Sequence, residues 1–293
     1  MKQFLGSEAI TTYEDAEAVI LPIPYEKTTT YRKGCQYGAS AIINASDRLE
    51  AYDIELKQET CIKTGIYTLE AIADTRINPT ITPEDMLRRT TDAVSSAIAD
   101  NKFAIVIGGE HAITYGVVKA YQQALSEPFT VVQIDAHGDL RHSYEGSIYN
   151  HACVMRRIVD LDLPILPVGI RSISQEEAQL IARKKIPVIY ARDIYRNRSW
   201  RFRAIANIPT EKVFITIDLD GLDPSLLPGV GTPQPGGLNW YELTQFLKQL
   251  FLQKEVIGCD VMELAPLKDS VVSEFTAAKL VYKLIGYHSL GKN

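Results

Sequence analysis

Two groups of acidic side chains follow apolar segments of the chain. The segment FTVVQIDAHGDL supplies Asp135, His137 and Asp139, and KVFITIDLDGLD supplies Asp218 and Asp220. The β-branched and aromatic residues before each group predict a buried strand. Bare carboxylates at the end of a buried strand are costly, because a low-dielectric environment disfavours unpaired charge. A divalent metal is the simplest partner for them.

Alternation along an extended chain predicts that the members of each group point the same way. Side chains two residues apart lie on one face of a strand. Asp135, His137 and Asp139 are therefore expected to project together, as are Asp218 and Asp220. A single Asp-x-Asp pattern is also typical of a solvated turn or a helix cap. Two such groups, one of them with a histidine, favour a shared metal site.

His111 is a further candidate ligand. KFAIVIGGEHAITYGVVKAY predicts a strand, a tight glycine turn and a helix, with His111 near the helix start. Taken alone, a histidine there is more typical of a helix cap or a packed side chain than of a metal ligand. Of the five histidines, however, His111, His137, His142 and His151 lie in or beside these motifs. This bias favours metal ligation or acid–base chemistry for some of them.

Seven apolar segments predict the strands that position these groups. They begin at Ala18, Phe103, Thr130, Pro164, Ile186, Val213 and Val256. Most are continuously apolar, as strands covered on both faces are. Helix-like segments separate several of them. One of these segments follows Thr82, which is a predicted N-cap, and Pro83 takes the first helical position. The alternation predicts a three-layer α/β/α fold with a mostly parallel central sheet, and such sheets bind ligands at the carboxyl ends of strands.

Length and composition limit the remaining possibilities. The 293 residues contain no obvious linker, which predicts a single domain over residues 1–293. The Gly- and Pro-rich residues 223–237 are expected to form an ordered loop beside the site. A net charge of −5 argues against nucleic acid and suits a small cation. No apolar run reaches membrane-spanning length, and the four scattered cysteines suggest reduced thiols in a cytoplasmic protein.

These motifs, in this order, resemble the ureohydrolases, the family that includes arginase and agmatinase. GGEH, DAHGD and DLDGLDPSLLPGVGTPQPGG look like the family's signature segments. PYEKTTTYRKGCQYGASAIINAS resembles the N-terminal segment of bacterial and archaeal agmatinases. The match covers nearly the whole chain and implies an arginase-like fold. Gly138 stands where many relatives have Ser or Thr, a departure that removes no ligand.

The resemblance implies a site with two Mn²⁺ ions per chain. His111, Asp135, Asp139 and Asp218 correspond to the ligands of one ion, and Asp135, His137, Asp218 and Asp220 to those of the other. Asp135 and Asp218 are then the bridging ligands. A donor set of mostly carboxylate oxygens suits manganese better than zinc. Two metals about 3.5–4 Å apart can share one water and lower its pKa.

The resemblance also implies the groups that act on the substrate. His151, in YNHACVMRR, matches the proton shuttle, and Glu263, in CDVMELAP, matches the glutamate that binds the guanidinium group. Asp139 is expected to orient the attacking water as well as to bind metal. Without the resemblance, Glu263 is interpreted as a salt-bridged glutamate at a strand end. Glu145 is a candidate contact for a cationic amine or, equally, a solvated loop residue.

The loop after DAHGD bears on the choice of substrate. LRHSYEGSIYN, residues 140–150, lacks the arginase asparagine pattern and looks like that of agmatinases. We expect Arg141 to point away from the site. The predicted reaction is hydrolysis of agmatine to putrescine and urea, a step of polyamine biosynthesis. Aminopropylagmatine is the next choice, and arginine and guanidinobutyrate are less favoured because each brings a carboxylate into the loop.

Two alternatives belong to other classes. The chain could be a catalytically silent regulator that binds polyamine or metal, but the ligand and proton-shuttle positions are intact. A zinc deacetylase of related fold is also disfavoured, because its single metal does not require both acidic groups. The family resemblance further suggests a homo-oligomer, a trimer or a hexamer.

Overall fold

A central parallel sheet organises the computed structural model, which describes residues 2–9 and 11–290. The strands are β1 (Ala18–Ile23), β2 (Tyr52–Asp53), β3 (Gln58–Glu59), β4 (Ile66–Thr68), β5 (Phe103–Gly108), β6 (Thr130–Ile134), β7 (Ile165–Ile170), β8 (Ile189–Tyr190), β9 (Lys212–Asp218) and β10 (Glu255–Met262). Eight of them form the sheet in the order β4-β1-β5-β10-β9-β6-β7-β8, and every neighbouring pair is parallel. Strands β2 and β3 form a separate antiparallel pair.

Helices cover both faces of this sheet. The α-helices are α1 (Gly38–Ser46), α2 (Thr60–Thr64), α3 (Pro83–Ala99), α4 (Ile113–Ala124), α5 (Val154–Val159), α6 (Gln175–Lys184), α7 (Ala191–Arg196), α8 (Trp200–Ala206), α9 (Trp240–Gln253) and α10 (Val272–His288). Short 3₁₀ segments span Gly6–Ala9, Cys35–Tyr37, His151–Cys153 and Leu219–Gly221. Helices α3 to α6 pack on one face and α1, α2 and α7 to α10 on the other. The predicted three-layer architecture is confirmed.

Alternation along β1 shows why the strands read as continuously apolar. Ala18 and Ile20 belong to one hydrophobic core, whereas Val19 and Leu21 belong to the core on the opposite face. All four side chains are fully buried. Both faces of the strand therefore require apolar residues, as expected of a parallel sheet between helical layers.

The predicted elements are found, and the ones that were not predicted are short. All seven predicted strands are present, although β8 is reduced to two residues of the predicted segment. The three-residue edge strand β4 is too short for a periodic signal. The predicted N-cap is confirmed, because Thr82 accepts a hydrogen bond from Asp85 N and Pro83 opens α3.

Two further expectations concern the whole chain. The four cysteines are buried and form no disulfide. Among the helices of the described residues, none combines the length and the apolar character needed to cross a bilayer.

Candidate dinuclear metal centre

Four neighbouring strands end at the candidate site. His111 follows β5, Glu263 follows β10, Asp218 is the last residue of β9, and Asp135 follows β6. These strands are adjacent in the sheet in the order β5-β10-β9-β6, although they are not consecutive in the chain. Because all are parallel, their carboxyl ends meet at one edge, where ligand sites of such sheets are expected.

The first cluster surrounds the His111 ring. Its Nδ1 lies 3.1 Å from Asp139 Oδ2, 3.2 Å from Asp135 Oδ2 and 3.5 Å from Asp218 Oδ2. One ring nitrogen cannot satisfy three buried carboxylates, so the cluster is suited to a cation at its centre. The other ring nitrogen, Nε2, lies 2.8 Å from Thr216 Oγ1. With Nε2 engaged, Nδ1 is the ring atom available to a metal ion.

The second cluster shares Asp135 with the first. His137 Nδ1 lies 2.9 Å from Asp220 Oδ2 and 3.7 Å from Asp135 Oδ1. The two Asp135 oxygens thus face different clusters, which is the geometry of a bridging ligand. Asp218 contributes one oxygen to the first cluster, and its Oδ1 accepts a hydrogen bond from Asp220 N at 2.9 Å. Its own bridging role stays a prediction.

Turns, rather than an extended strand, bring these ligands together. Strand β6 already ends at Ile134, and Asp139 adopts a left-handed conformation with φ of 51°. Asp220 lies in the 3₁₀ turn Leu219–Gly221 that follows β9. Simple strand alternation was therefore the wrong reason for the predicted convergence. Aspartate tolerates the left-handed region better than most residues, which fits it to Asp139's position.

Burial, together with the crowding of carboxylates, dominates the electrostatics of the clusters. Burial raises the pKa of Asp135 to about 7, and the charges of Asp139 and Asp220 add to the effect. Burial and the same kind of repulsion hold the pKa of Asp218 well above its usual range. Burial disfavours charge on His137 too, but the hydrogen bond with Asp220 outweighs it and raises the His137 pKa to about 10. These raised pKa values mean that the clusters retain protons when no other positive charge neutralises the carboxylates.

His151 and Glu263 lie beside the first cluster. Glu263 is buried, and its Oε1 accepts a hydrogen bond from His111 N at 2.7 Å and lies 3.6 Å from His151 Nδ1. Its Oε2 accepts no hydrogen bond from the residues that the structure describes. Burial opposes charge on His151, but the nearby carboxylate of Glu263 prevails and raises the His151 pKa to about 9. Glu263 has φ of 68°, a strained backbone at a candidate functional position.

A cleft of about 210 Å³ opens onto the clusters. Its lining comprises Thr30, His137, Asp139, Arg141, Tyr144, His151, Ala152, Ser172, Ile173, Ser174, Glu177, Asp218, Asp220 and Thr232. Thr232 belongs to the Gly- and Pro-rich loop, which therefore borders the site as predicted. A larger cavity of about 620 Å³ lies at the opposite edge of the sheet, where β5 and β10 begin, and contains none of the predicted site residues.

Arg141 corrects one expectation from the sequence. It lines the cleft rather than pointing away from it. Its guanidinium carbon lies 4.8 Å from the centroid of the Tyr144 ring. This distance is that of a cation–π contact, and Tyr144 also lines the cleft.

Glu145 is the one predicted site residue that the structure places neither in the two clusters and their neighbours nor in the lining of the cleft. Tyr144 and Ser147 exchange backbone hydrogen bonds, and Glu145 and Gly146 between them have φ of 47° and 80°. Positive φ at both central positions is the pattern of a tight type I′ turn. The turn leaves the Glu145 side chain exposed to solvent, so its geometry gives the predicted substrate contact no support.

Sequence reasoning missed two kinds of site residue. Glu177 is buried, lines the cleft and accepts hydrogen bonds from Leu140 N at 2.9 Å and Ser174 N at 2.6 Å. Its only sequence signal is a Ser-x-x-Glu capping box, which also describes an ordinary helix start. Thr30 Oγ1 lies 3.3 Å from His151 Nε2, and no pattern in the chain singles it out among its threonine neighbours.

Comparison with known proteins agrees with this geometry. The family model described as the Arginase family matches residues 16–286. The chain belongs to the arginase family. This finding confirms the predicted family and, at that level, the predicted enzyme class, a ureohydrolase. The described fold is likewise that of the family's solved structures.

Individual members of the arginase family differ in the substrate that their names give. The chain is 58% identical to the N(1)-aminopropylagmatine ureohydrolase of Synechocystis sp. over 98% of its own length and 94% of the relative. It is 34% identical to the agmatinase of Pyrococcus horikoshii over 93% of its own length and 92% of the relative. The crystal structure of agmatine ureohydrolase of Thermoplasma volcanium matches with a TM-score of 0.84 and 31% identity, over 99% of this chain and 94% of that one.

Proposed function

We propose that this ureohydrolase acts on N1-aminopropylagmatine and releases urea and spermidine. The observation that carries the proposal is the pair of clusters sharing Asp135, next to His151 and Glu263, in a chain 58% identical to a protein of that name. The sequence alone favoured the shorter agmatine. The name of this relative supports the longer amine as our first choice, and we propose that the reaction belongs to polyamine biosynthesis.

We propose that the site holds two Mn²⁺ ions. The ligands are His111, Asp135, Asp139 and Asp218 for one ion and Asp135, His137, Asp218 and Asp220 for the other. Two groups of three potential ligands with closely spaced donor atoms, joined through Asp135, support this assignment. So does the absence of cysteine from the donor set, which suits a hard cation. When bound, the ions neutralise the carboxylates and lower the pKa of a shared water.

The chain's own residues orient the substrate and move the proton. Glu263 Oε2 accepts hydrogen bonds from the planar guanidinium group, because its Oε1 is already engaged by His111 N. Asp139 accepts a hydrogen bond from the attacking water and aims it at the guanidinium carbon. The leaving nitrogen must gain a proton to depart as an amine. His151, whose ring lies next to Glu263, supplies that proton.

The cleft also carries features suited to a cationic tail. Glu177 is a buried carboxylate without an ion-pair partner among residues 2–9 and 11–290. Tyr144 adds an aromatic face. Arg141 is the one lysine or arginine in the lining and is the group that a substrate carboxylate would compete for. We infer that the contact with Tyr144 restrains it.

Agmatine is the second candidate. The Pyrococcus relative and the Thermoplasma structure carry agmatine-based names, and the same cleft accepts the guanidino group of either substrate. We further propose that residues 1–293 fold as one domain, since one sheet draws its strands from residues 18–262. A cytoplasmic homo-oligomer, a trimer or a hexamer, completes the proposal.

A urea-release assay tests the substrate assignment. The purified chain, loaded with Mn²⁺, is offered aminopropylagmatine, agmatine, arginine and guanidinobutyrate, and kcat/KM is measured for each. We expect aminopropylagmatine to lead, agmatine to follow, and the two carboxylates to be poor substrates. Metal analysis of the same sample should count two ions per chain. A preference for arginine, or no urea from any compound, contradicts the proposal.

A further inference from the structure

The loop after β1 is fixed to the site by Glu110. This side chain is fully buried and accepts hydrogen bonds from Lys27 N at 2.6 Å, Thr28 N at 2.7 Å and Thr28 Oγ1 at 2.7 Å. The approach requires the glycine before it, because a Cβ on Gly109 would lie 1.9 Å from Tyr25 O. Glu110 therefore holds the loop against the end of β5, next to the ligand His111.

Thr28 connects Glu110 to the backbone of His151 through its hydroxyl group. Its hydroxyl donates to Glu110 and accepts a hydrogen bond from His151 N at 3.0 Å. Asn150 reinforces the contact, because its Nδ2 donates to Thr28 O at 3.3 Å. The location of the His151 backbone in the fold is thus set by a residue about 120 positions earlier in the sequence.

Thr30 completes the arrangement at the ring itself. Its Oγ1 lies 3.3 Å from His151 Nε2, while the other ring nitrogen, Nδ1, faces Glu263 Oε1 at 3.6 Å. Both nitrogens of the imidazole therefore have a neighbour, and these neighbours define the ring's orientation. Thr30 also borders the cleft.

We propose that Thr28 and Thr30, anchored by Glu110, form a clamp that positions His151 for proton transfer. The inference rests on the proposed function, in which His151 protonates the leaving nitrogen. General acid catalysis depends on hydrogen-bond distance and direction between the acid and the accepting atom. Thr28 and Thr30 act through His151 and are positioning residues.

The first test replaces the Thr30 hydroxyl. Thr30→Val keeps the shape of the side chain, and Thr30→Ser keeps the hydroxyl. We expect kcat of the Val variant to fall by about 3- to 10-fold, the range for one lost hydrogen bond, with little change in KM or bound manganese. The Ser variant should retain most of the wild-type kcat. Thr30→Ala serves in the same role if the Val variant does not fold.

Thr29 provides a matched control in the same loop. It is buried, and its hydroxyl donates to Glu26 Oε1 at 3.0 Å and accepts from Lys33 Nζ at 2.9 Å rather than contacting His151. Thr29→Val should lower the melting temperature but change kcat by less than about twofold. An equal loss of kcat in the Thr29 and Thr30 variants would show that both substitutions act only by destabilising the loop. That result would overturn the proposal.

A double-mutant cycle asks whether Thr30 acts through His151. If it does, Thr30→Val should have no further effect on kcat in a His151→Asn background. The same fold loss in both backgrounds overturns the clamp. So does a Thr30→Val enzyme with wild-type kcat.

A measurement without turnover separates failure of the clamp from failure of the proposed function. In metal-free protein with ¹⁵N-labelled histidine, His151→Asn assigns the His151 signals. Thr30→Val should shift the Nε2 resonance, whereas Thr29→Val should leave it unchanged. A wild-type chain that releases urea but shows no Nε2 shift in Thr30→Val refutes the clamp alone. Absence of urea from every guanidino substrate refutes the proposed function, and the Nε2 shift still decides the contact.

Discussion

The proposed metal ligands and the loop of residues 140–150 lie at the same site but are built differently. Asp135 and His111 are fully buried, and backbone N–H groups hold Asp135 and Asp218 in place. In the loop, by contrast, Glu145 is exposed, and the hairpin's own backbone bonds fix its tip. The proposed ligands are set by four strand ends packed between helices, whereas the loop is held by its own turn and, at its two ends, by Glu177 and Thr28.

The difference separates chemistry from specificity. Moving a buried ligand disturbs the sheet and leaves an unpaired charge, so substitutions at the strand ends that carry the proposed ligands are poorly tolerated. A surface loop can change its side chains at small cost to the fold. Reaction type should therefore depend on the strand ends, and the substrate tail on the loop. The following predictions test this contrast, from the largest expected effect to the smallest.

Loss of the shared ligand should have the largest effect. Asp135→Asn removes a charge that faces both clusters, and Asp218→Asn removes one from the first. We expect turnover to fall to background and bound manganese to decrease, while circular dichroism stays that of the folded protein. Asp92→Asn, on the exposed surface of α3, is the matched control. Near-wild-type activity of Asp135→Asn at saturating Mn²⁺ would refute its bridging role.

His151→Phe should come next. Removal of a general acid typically lowers kcat by about 10²–10⁴-fold, and no metal ligand is lost. Steady-state kinetics together with metal analysis measure both quantities. His142→Phe, on the exposed part of the loop, should leave kcat nearly unchanged. If manganese content drops in parallel with kcat, His151 serves the metal site rather than proton transfer.

Discrimination against a substrate carboxylate tests the loop. Arginine brings a carboxylate to a cleft already bordered by Asp139 and Glu177, and leaving that group unpaired should lower kcat/KM by about 10³-fold relative to agmatine. Arg141→Gln sharpens the result. If Arg141 binds carboxylate, wild-type rates on the two substrates will be similar, and arginine hydrolysis will collapse in the variant.

Metal removal should destabilise the chain more at high pH. The pKa of Asp135 is raised to about 7 and that of His137 to about 10, so the folded, metal-free protein holds protons that the unfolded chain releases. Stability from such groups is present at low pH and is lost as pH rises through their folded-state values. The fall in melting temperature on chelation should therefore be several degrees larger near pH 8.5 than near pH 6. An equal fall at both pH values would show that these groups are not coupled to folding.

Glu145→Gln should have the smallest effect. The side chain is solvent-exposed at the turn tip, so kcat/KM for agmatine and aminopropylagmatine should stay within about twofold of wild type. A tenfold rise in KM for the longer substrate alone would restore the predicted contact and show that the loop moves when substrate binds.

The acidic groups of the site could be predicted from residue types that are unusual for their setting, whereas His151 and Glu263 were predicted only through the family resemblance. Asp135 and Asp218 stand at the ends of apolar strands, where a charge needs an explanation. Thr30 and Glu177 could not be found in this way. Threonine in a loop and glutamate in a capping box are ordinary residues, and only their distances to His151 and to the cleft give them significance.

The sequence by itself determined the chemical groups of this protein and the strand ends that carry them. Apolar segments must be buried, and the carboxylates that follow them must meet positive charge, whatever the neighbours are. Only the tertiary structure decided which strand ends meet. Strands β5, β10, β9 and β6 are adjacent because crossover helices pack on both faces, an order that local patterns do not encode. The same packing places Thr28 and Thr30 against His151, because a contact between distant segments depends on the whole fold.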